Sequence, residues 1–240
     1  KELINGYKRY CLWLGDCSSE QIEQMPHALK RVQQVRDYRL ASDRCKTRRL
    51  AKFPTRFQVE NMPVSYFIVV PSASSERRKY VPIAFYNKET LISNLASIVC
   101  GDLYHFGILT SSMHMAWLCT VCGRLKSDYR YSATIVYNTF PWPDAAGGQK
   151  EAVINFAQIV LDTRAMYPDM NLAQMYDPDT MPKPLQEAHT ALDIAVDGLY
   201  RTKPFADDED RLQLLFNLYA QLSANTPVTH AVSEEEPEDV

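Results

Sequence analysis

Residues 105–122 constrain the fold most, because apolar side chains occupy almost every direction around a helix predicted there. One stripe of that helix contains Phe106, Leu109, Met113, Ala116, Trp117 and Val121, and the remaining surface contains Ile108, Met115, Leu118 and Cys122. A helix that is apolar on most sides is buried by the elements around it. We therefore expect this helix at the centre of a core. We expect His114 within it to be a core histidine with satisfied hydrogen bonds rather than a ligand or a base.

The segments on either side of this helix predict short β-strands. Two apolar runs at 66–70 and 80–86 predict a hairpin whose connection is residues 71–79. Proline has no backbone N–H, so Pro82 favours an edge position for the second of these strands. We expect two further strands, at 97–100 and 134–137.

The second half of the chain is predicted to be helical. Apolar residues recur at 3.6-residue spacing in three segments, at 153–161, 185–199 and 212–222, which we expect to pack together as a small bundle. The fold class predicted is α+β: a mixed-sheet domain followed by a small C-terminal helical bundle. The predicted divisions are a helical lead-in at 1–35, the mixed-sheet domain at 36–143, the helical domain at 144–225 and a disordered acidic tail at 226–240.

Charge divides the chain at Pro143. Residues 1–143 contain 20 Lys and Arg against 11 Asp and Glu, a balance of 20 − 11 = +9, whereas the remainder has 6 − 18 = −12. Within 30–56 alone there are ten basic residues against Asp37 and Asp43. Cationic groups that neutralise phosphates release counterions, so the first half is suited to binding a polyanion such as DNA or RNA. A solvated helix face is the alternative interpretation of the 30–56 cluster.

The run 123–132 alternates in a way that predicts an extended chain. Arg124, Lys126, Asp128 and Arg130 share one parity, so a continuous strand would place all four charges on one face. Lysine donates to guanine O6 and N7, and aspartate accepts from cytosine N4, so Lys126 and Asp128 have the chemistry to contact one G·C pair. The alternative is a solvated edge strand whose charges discourage aggregation.

The sequence motifs do not indicate catalysis within this chain. A glycine-rich cofactor loop, an Asn-Pro-Pro-aromatic tetrapeptide, a P-loop and a Gly-x-Ser-x-Gly elbow are all missing from the sequence. Cys119 and Cys122 have CxxC spacing, but no second pair completes a zinc site, so no metal is predicted. No run approaches the ~18 apolar residues of a membrane span, and six scattered cysteines predict reduced thiols in an intracellular protein. Because the chain begins at Lys1 rather than at Met, we expect a piece of a longer protein.

Three ordered blocks of this sequence resemble the target recognition domain of MmeI-like restriction–modification enzymes. They are residues 111–117 (SSMHMAW), 123–132 (GRLKSDYRYS) and 137–143 (YNTFPWP), and residues 74–80 (SSERRKY) are similar to an upstream block. Residues 175–182 (MYDPDTMP), with 188–189 and 192–197, resemble the C-terminal helical domain that follows in that family. The resemblance covers nearly the whole chain.

The resemblance implies a longer parent enzyme that methylates adenine N6 in a short DNA site with S-adenosylmethionine in a separate catalytic domain of the same chain. It implies that double-stranded DNA is the partner, that the location is the bacterial cytoplasm, and that residues 1–35 lead in from the catalytic domain. It also implies base contacts by Lys126 and Asp128 on one base pair, with Arg130 as a second candidate. Phosphate contacts are predicted from both segments of basic residues, at Ser74, Ser75, Arg77, Arg78, Lys79, Arg124, Arg39, Arg48 and Arg49.

One departure from the family pattern and one alternative function remain open. Cys119 and Thr120 stand where more polar or basic residues are expected in the family, which leaves a DNA contact from that helix open. A different class of function is a protein-interaction or scaffold module of a phage-defence complex, in which the acidic half docks a partner and the basic half complements it.

Overall fold

The computed structural model describes residues 2–93 and 96–225, so the predicted acidic tail at 226–240 lies outside the described residues. The helices, in chain order, are α1 Glu2–Asn5, α2 Ser19–Glu23, α3 Pro26–Leu40, α4 Cys45–Arg49, α5 Leu103–Leu109, α6 Ser112–Val121, α7 Gly147–Ala165, α8 Leu172–Met175, α9 Lys183–Tyr200 and α10 Asp208–Asn225. A 3₁₀ turn at Leu50–Lys52 follows α4, and the strands are β1 Phe67–Pro71, β2 Ala73–Ser74, β3 Ala84–Tyr86, β4 Ala96–Val99, β5 Gly123–Leu125 and β6 Asp128–Arg130. The α+β class is confirmed.

The predicted central helix is confirmed as buried, but it is two helices rather than one. The chain leaves the helix after Leu109, and α6 begins at Ser112 with Ser111 as its N-cap, whose Oγ accepts from the backbone N–H of His114 at 3.3 Å. The same hydroxyl donates to the carbonyl of Ile108 at 2.7 Å. Ser and Thr hydroxyls compete with the helical backbone in this way, so Thr110-Ser111 interrupts an otherwise uniform apolar run. His114 is fully buried in α6, as predicted, and its Nε2 lies 3.3 Å from the Tyr131 hydroxyl. Its Nδ1 is buried without a hydrogen-bond partner, so the prediction of a fully satisfied histidine is wrong at that atom.

The first sheet has the order β3-β1-β4 and is antiparallel throughout. The predicted hairpin is confirmed by the pairing of Phe67 with Tyr86, and the predicted third strand pairs on the other side of β1. Every residue of the central strand β1 is buried. Strand β3 is an edge strand that begins after Pro82, consistent with the missing N–H of proline.

A second antiparallel sheet begins immediately after the first. Between β1 and β2 the only residue is Ser72, whose carbonyl accepts from the N–H of Tyr131 at 2.9 Å. Strand β2 pairs with β6, which pairs with β5, so the order is β2-β6-β5. The predicted connection at 71–79 therefore contains a strand, and the predicted mixed sheet is two small antiparallel sheets.

The strand predicted at 134–137 is wrong, because Ala133–Tyr137 form a π-helical turn. The N–H of Asn138 donates to the carbonyl of Ala133 at 2.9 Å, five residues earlier. A short apolar run with β-branched residues has no periodicity that separates a strand from one helical turn. Here the turn buries Val136 completely.

Helices α7 and α9 pack against each other and against α5, so the second half shares one hydrophobic core with the first. Helix α10 instead packs on α6, where the indole of Trp117 lies 5.2 Å from the ring of Phe216 and 5.6 Å from that of Tyr219, centroid to centroid. The predicted packing of three helices on one another therefore holds for α7 and α9, whereas α10 packs mainly on α6. Helices α5 and α6 are apolar and buried along most of their length, so α7, α9 and α10 bury their own apolar faces against them.

Buried polar groups join the two halves at two points. The carboxylate of Asp193 on α9 accepts from the Tyr80 hydroxyl at 2.7 Å, from the Ser112 N–H at 2.7 Å and from the Ser112 hydroxyl at 2.6 Å. On α7, Arg164 donates to the carbonyl of Ile83 at 2.8 Å and to the hydroxyl of Tyr176. Satisfied buried networks of this kind fix a single arrangement of the elements that contribute to them.

Gly107 is required where α5 meets α7. A Cβ added at this position would lie 2.7 Å from Cγ1 of Val153 and 3.3 Å from Cβ of Ala157. We expect Gly107→Ala to lower the free energy of unfolding by about 1–3 kcal/mol through overpacking. Gly198→Ala is the matched control in α9, because an added Cβ there meets nothing within 4 Å, and it should raise stability by about 0.5–1 kcal/mol. Urea titration of both variants measures this; equal stability of the two would contradict the close approach.

The free energy of unfolding should decrease as the pH is lowered, because His114 is buried in its neutral form. Burial lowers the pKa of His114 to about 3, whereas an unfolded histidine has a pKa near 6.5. The unfolded chain binds the extra proton between these values, so stability is full above about pH 6.5 and is lost as the pH falls. The buried carboxyl of Asp193 has the opposite sign, since burial raises its pKa.

We expect His114→Phe to reduce the stability difference between pH 7 and pH 5 by about 2 kcal/mol, the linkage of one such histidine over that interval. Urea titrations at the two pH values provide the measurement. His189, whose pKa burial also lowers, is unchanged in both proteins and cancels in the comparison. An undiminished difference in His114→Phe would show that His114 is not the group that titrates.

Candidate nucleic-acid interface

The segment 123–130 is a tight hairpin and not the continuous strand that its alternation predicted. Strands β5 and β6 pair antiparallel, with Leu125 opposite Asp128, so Lys126 and Ser127 form a two-residue loop between them. Lys126 has φ = 58°, in the left-handed region. Turns with positive φ usually contain Gly or Asn, so neither Lys nor Ser gives a sequence signal for this turn.

The hairpin register divides the charged residues between two faces. Cross-strand partners share a face, so Leu125 and Asp128 lie on one side with Gly123 and Arg130. This is called the outer face, and all four of its residues are exposed. Arg124 lies on the opposite, inner face with its partner Tyr129. The prediction that Arg124 shares a face with Asp128 and Arg130 is therefore wrong, because the turn shifts the parity between the two strands.

The inner face holds the hairpin in shape. The Arg124 guanidinium lies 4.2 Å from the centroid of the Tyr129 ring, and Nη1 donates to the carbonyl of Ser127 at 2.8 Å. The same nitrogen is 3.8 Å from a carboxylate oxygen of Glu76. Partial burial and the neighbouring Cys119 thiol raise the pKa of Tyr129 to about 12, so its hydroxyl stays protonated. Arg124 thus connects the loop of the hairpin to the strand β6 and to the segment after β2.

Lys126 occupies a backbone conformation that costs a non-glycine residue roughly 1–2 kcal/mol. Its side chain is exposed at the tip of the hairpin. Strained positions of this kind concentrate at functional sites, where the surrounding structure holds the backbone in place. The conformation therefore favours a role for the Lys126 ammonium outside the fold.

The basic loop 75–79 lies beside this hairpin because β2 pairs with β6, with Ser74 opposite Tyr129. A turn closed by the Arg78 N–H to the Ser75 carbonyl at 3.2 Å shapes the loop. Arg77 is exposed and pairs with Asp179 of the helical region at 2.5 Å, a contact that raises the pKa of the guanidinium. The loop is therefore held from both halves of the chain.

Arg78 differs from its neighbours in being half-buried, while Arg77 and Lys79 are exposed. Burial lowers the pKa of Arg78, and the negative charges of Asp177 and Asp128 act against that shift. Its Nε is buried without a hydrogen-bond partner. The pairing of β2 with β6 places the basic loop beside the hairpin, close enough for the Asp128 charge to act on Arg78.

Two of the predicted phosphate-binding residues near α4 also serve the fold. Arg39 donates to the backbone carbonyls of Leu50, Phe53 and Arg56 at 3.0, 2.8 and 2.7 Å. Arg48 donates to the carbonyls of Ser42 and Asp43, both at 2.9 Å. Arg49 is exposed at the end of α4. In the basic loop, Ser75 is half-buried, and Ser74 is the least accessible of the predicted set, being 5% exposed with a buried hydroxyl.

Sequence reasoning did not select Leu125, Glu76 and Asp179. Leu125 belongs to the outer face only because of the turn, and the parity of a continuous strand assigns it to the packed side. Glu76 was present within the basic loop, and its proximity to basic residues was an available signal. Asp179 is 102 residues from Arg77 in sequence, so only the tertiary structure brings them together.

Neither a metal site nor a membrane span is found in the part of the chain that the structure describes. Cys119 and Cys122 are free and half-buried, and residues 2–93 and 96–225 contain no group of three His, Cys, Asp or Glu placed to hold a metal ion. Over the same residues, no helix has both the length and the apolar character to cross a membrane.

An exposed charged hairpin beside a basic loop, both mounted on a helical scaffold, defines a recognition module. The comparisons with known proteins specify which one. The family model of the MmeI target recognition domain matches residues 1–144, and that of the MmeI C-terminal domain matches residues 145–226. The chain belongs to the MmeI family.

Two relatives agree with this assignment. DNA methyltransferase A of Bacillus subtilis (strain 168) is 41% identical over 223 residues, which are 92% of this chain and 25% of that protein. The structure of the type IIL restriction–modification enzyme MmeI in complex with DNA matches with a TM-score of 0.88 and 38% identity, over 93% of this chain and 30% of that chain. The chain thus spans between a quarter and a third of the length of these relatives.

Proposed function

We propose that this chain recognises a specific sequence in double-stranded DNA, as the specificity portion of a restriction–modification DNA methyltransferase. The observation that carries the proposal is the outer face of the β5–β6 hairpin, which exposes Asp128 and Arg130 beside Lys126 at the tip. The major groove of B-DNA admits a two-stranded β-ribbon, and charged side chains on such a ribbon meet base edges there. The relationship to a protein solved in complex with DNA supports the same conclusion.

Lys126 and Asp128 are proposed to contact one G·C base pair. The ammonium donates to guanine O6 and N7, and the carboxylate accepts from cytosine N4. The two residues flank Ser127 at the tip, where no part of the core covers them. Arg130, two residues along the same face, is proposed as a second base contact, with its guanidinium toward another guanine.

Phosphate contacts are proposed around this ribbon, and we rank them by exposure and by the contacts that each residue already makes. Lys79 and Arg49 are exposed, and neither has an ion pair among the described residues. Arg77 must exchange Asp179 for a phosphate, and Arg124 must leave Glu76. Arg39, Arg48 and Arg78 contribute mainly positive potential, and Ser75 contributes a half-buried hydroxyl group. The predicted contact from Ser74 would require its buried hydroxyl to become accessible.

Catalysis is proposed to reside in the rest of a longer protein. The methyltransferase relatives imply that the parent uses S-adenosylmethionine, and the family resemblance implies transfer to adenine N6. A catalytic domain of the same chain would then be the second partner and would provide the other wall of the DNA cleft. We propose the bacterial cytoplasm as the location, where the DNA substrate is found.

Replacing both Lys126 and Asp128 by Ala in the full-length enzyme should relax specificity at one base pair. Each good base contact contributes about 1–3 kcal/mol of discrimination, so preference at that position should fall by at least about tenfold. Sequencing of methylated sites in a random DNA library measures this. The matched control is Lys183→Ala with Glu187→Ala, an exposed pair of opposite charge on α9 separated by 3.9 Å. A methylated site that is unchanged at every position would contradict the base-contact assignment.

Lys79→Ala should weaken binding to all sequences alike. The slope of log K against log salt is negative, and loss of one phosphate contact should reduce its magnitude by about 0.9 without changing the preferred site. Titration of labelled DNA at several salt concentrations gives the slope. The control is Lys150→Ala on α7, outside the proposed phosphate set, which should leave the salt slope unaltered. An unaltered slope in Lys79→Ala would show that Lys79 does not contact a DNA phosphate.

A further inference from the structure

We propose that Leu125 is a further specificity-determining residue, which contacts the 5-methyl group of a thymine next to the base pair met by Lys126 and Asp128. The inference rests on the proposed function and extends it from polar to apolar recognition. Leu125 is 59% exposed and lies on the outer face, directly opposite Asp128.

The register gives Leu125 a defined place relative to the base pairs. The Cβ atoms of opposite residues in a two-stranded antiparallel ribbon lie about 4.5–5.5 Å apart. Successive base pairs are stacked about 3.4 Å apart. When the Asp128 carboxylate meets a cytosine N4, the Leu125 side chain therefore lies over an adjacent base pair. The group that a thymine presents to an apolar side chain in the major groove is its methyl.

Leu125 has no function in the core that explains its identity. Its neighbours Val121, Cys122 and Tyr129 pack against the hydrophobic core, whereas Leu125 does not belong to that set. The rest of the outer face near Arg130 consists of small residues, since Gly123 and Ala73 are its partners on either side. On the outer face, Leu125 is thus the one large apolar side chain, beside the charged Asp128 and Arg130 and the small Gly123 and Ala73.

A single exposed leucine on a protein surface is common and needs no function. What distinguishes Leu125 is its position at the closing pair of the hairpin, beside Asp128 and next to the strained Lys126. Any macromolecule that these two charged groups contact must also contact Leu125. Among the groups that base edges present in the major groove, the thymine methyl is the apolar one.

The experiment uses the full-length enzyme and duplexes in which one thymine at a time, within the recognition site and two base pairs beyond it, is replaced by deoxyuridine. This replacement removes only the methyl group. With the unaltered enzyme, one replacement should weaken binding about three- to tenfold. Leu125→Ala should bind the thymine duplex correspondingly more weakly and should no longer distinguish thymine from deoxyuridine at that position. Leu125→Met should retain the distinction.

The control variant is Ile194→Ala, which removes a comparably exposed aliphatic side chain from α9 and should keep the full sensitivity. The inference is overturned if no thymine position within two base pairs of the G·C pair is sensitive. It is also overturned if the sensitivity persists in Leu125→Ala. In both cases a relaxed G·C preference of the Lys126 and Asp128 variant would leave the proposed function standing. An enzyme without any sequence preference would overturn the proposed function itself.

Discussion

The buried carboxylate of Asp193 is the interaction on which the relation of the two halves depends. It accepts three hydrogen bonds, from Tyr80 at the end of the basic loop and from both polar groups of Ser112 at the start of α6. A buried charge is tolerated only with such partners, and removing them leaves a large desolvation cost. Helix α9 consequently determines where the basic loop ends and where α6 begins. The hairpin follows α6 directly. One side chain of the helical region, Asp193, therefore positions both the basic loop and the hairpin of the proposed interface.

The opposite charges of the two halves have a structural meaning beyond attraction and repulsion of a polyanion. The acidic half supplies Asp179 to Arg77, and the charge of Asp177 stabilises the half-buried Arg78. These contacts hold a loop whose own residues would repel one another. The exposed ion pair itself contributes little stability, but it limits the orientations of the loop. The helical region is therefore part of the proposed interface as well as its support.

Sequence patterns predicted the large features of this chain and missed the small ones. The apolar run at 105–122 identified the core, and the periodicities after residue 147 identified α7, α9 and α10. These predictions succeeded because buried positions are occupied by apolar residues over many consecutive turns. The break at Ser111, the π-turn at Ala133–Tyr137 and the turn at Lys126 depend on single hydrogen bonds or one dihedral angle. Two of these errors leave the site untouched. The third reverses the face of Arg124 and brings Leu125 beside Asp128, so one local dihedral angle changes the set of residues that the proposed function uses.

The two-residue loop of the hairpin also restricts how this surface can diversify. In an antiparallel pair of strands, insertion or deletion of one residue in β6 would exchange the outer and inner faces and would separate Arg124 from Tyr129. Substitutions at positions 125, 128 and 130 leave the pairing intact, because these side chains are exposed and outside the core. Position 126 accepts those residues that tolerate a positive φ. Natural variants of this hairpin should therefore keep its length and differ in side-chain chemistry. Under the proposed function, a change of target sequence would then require no change of the backbone fold.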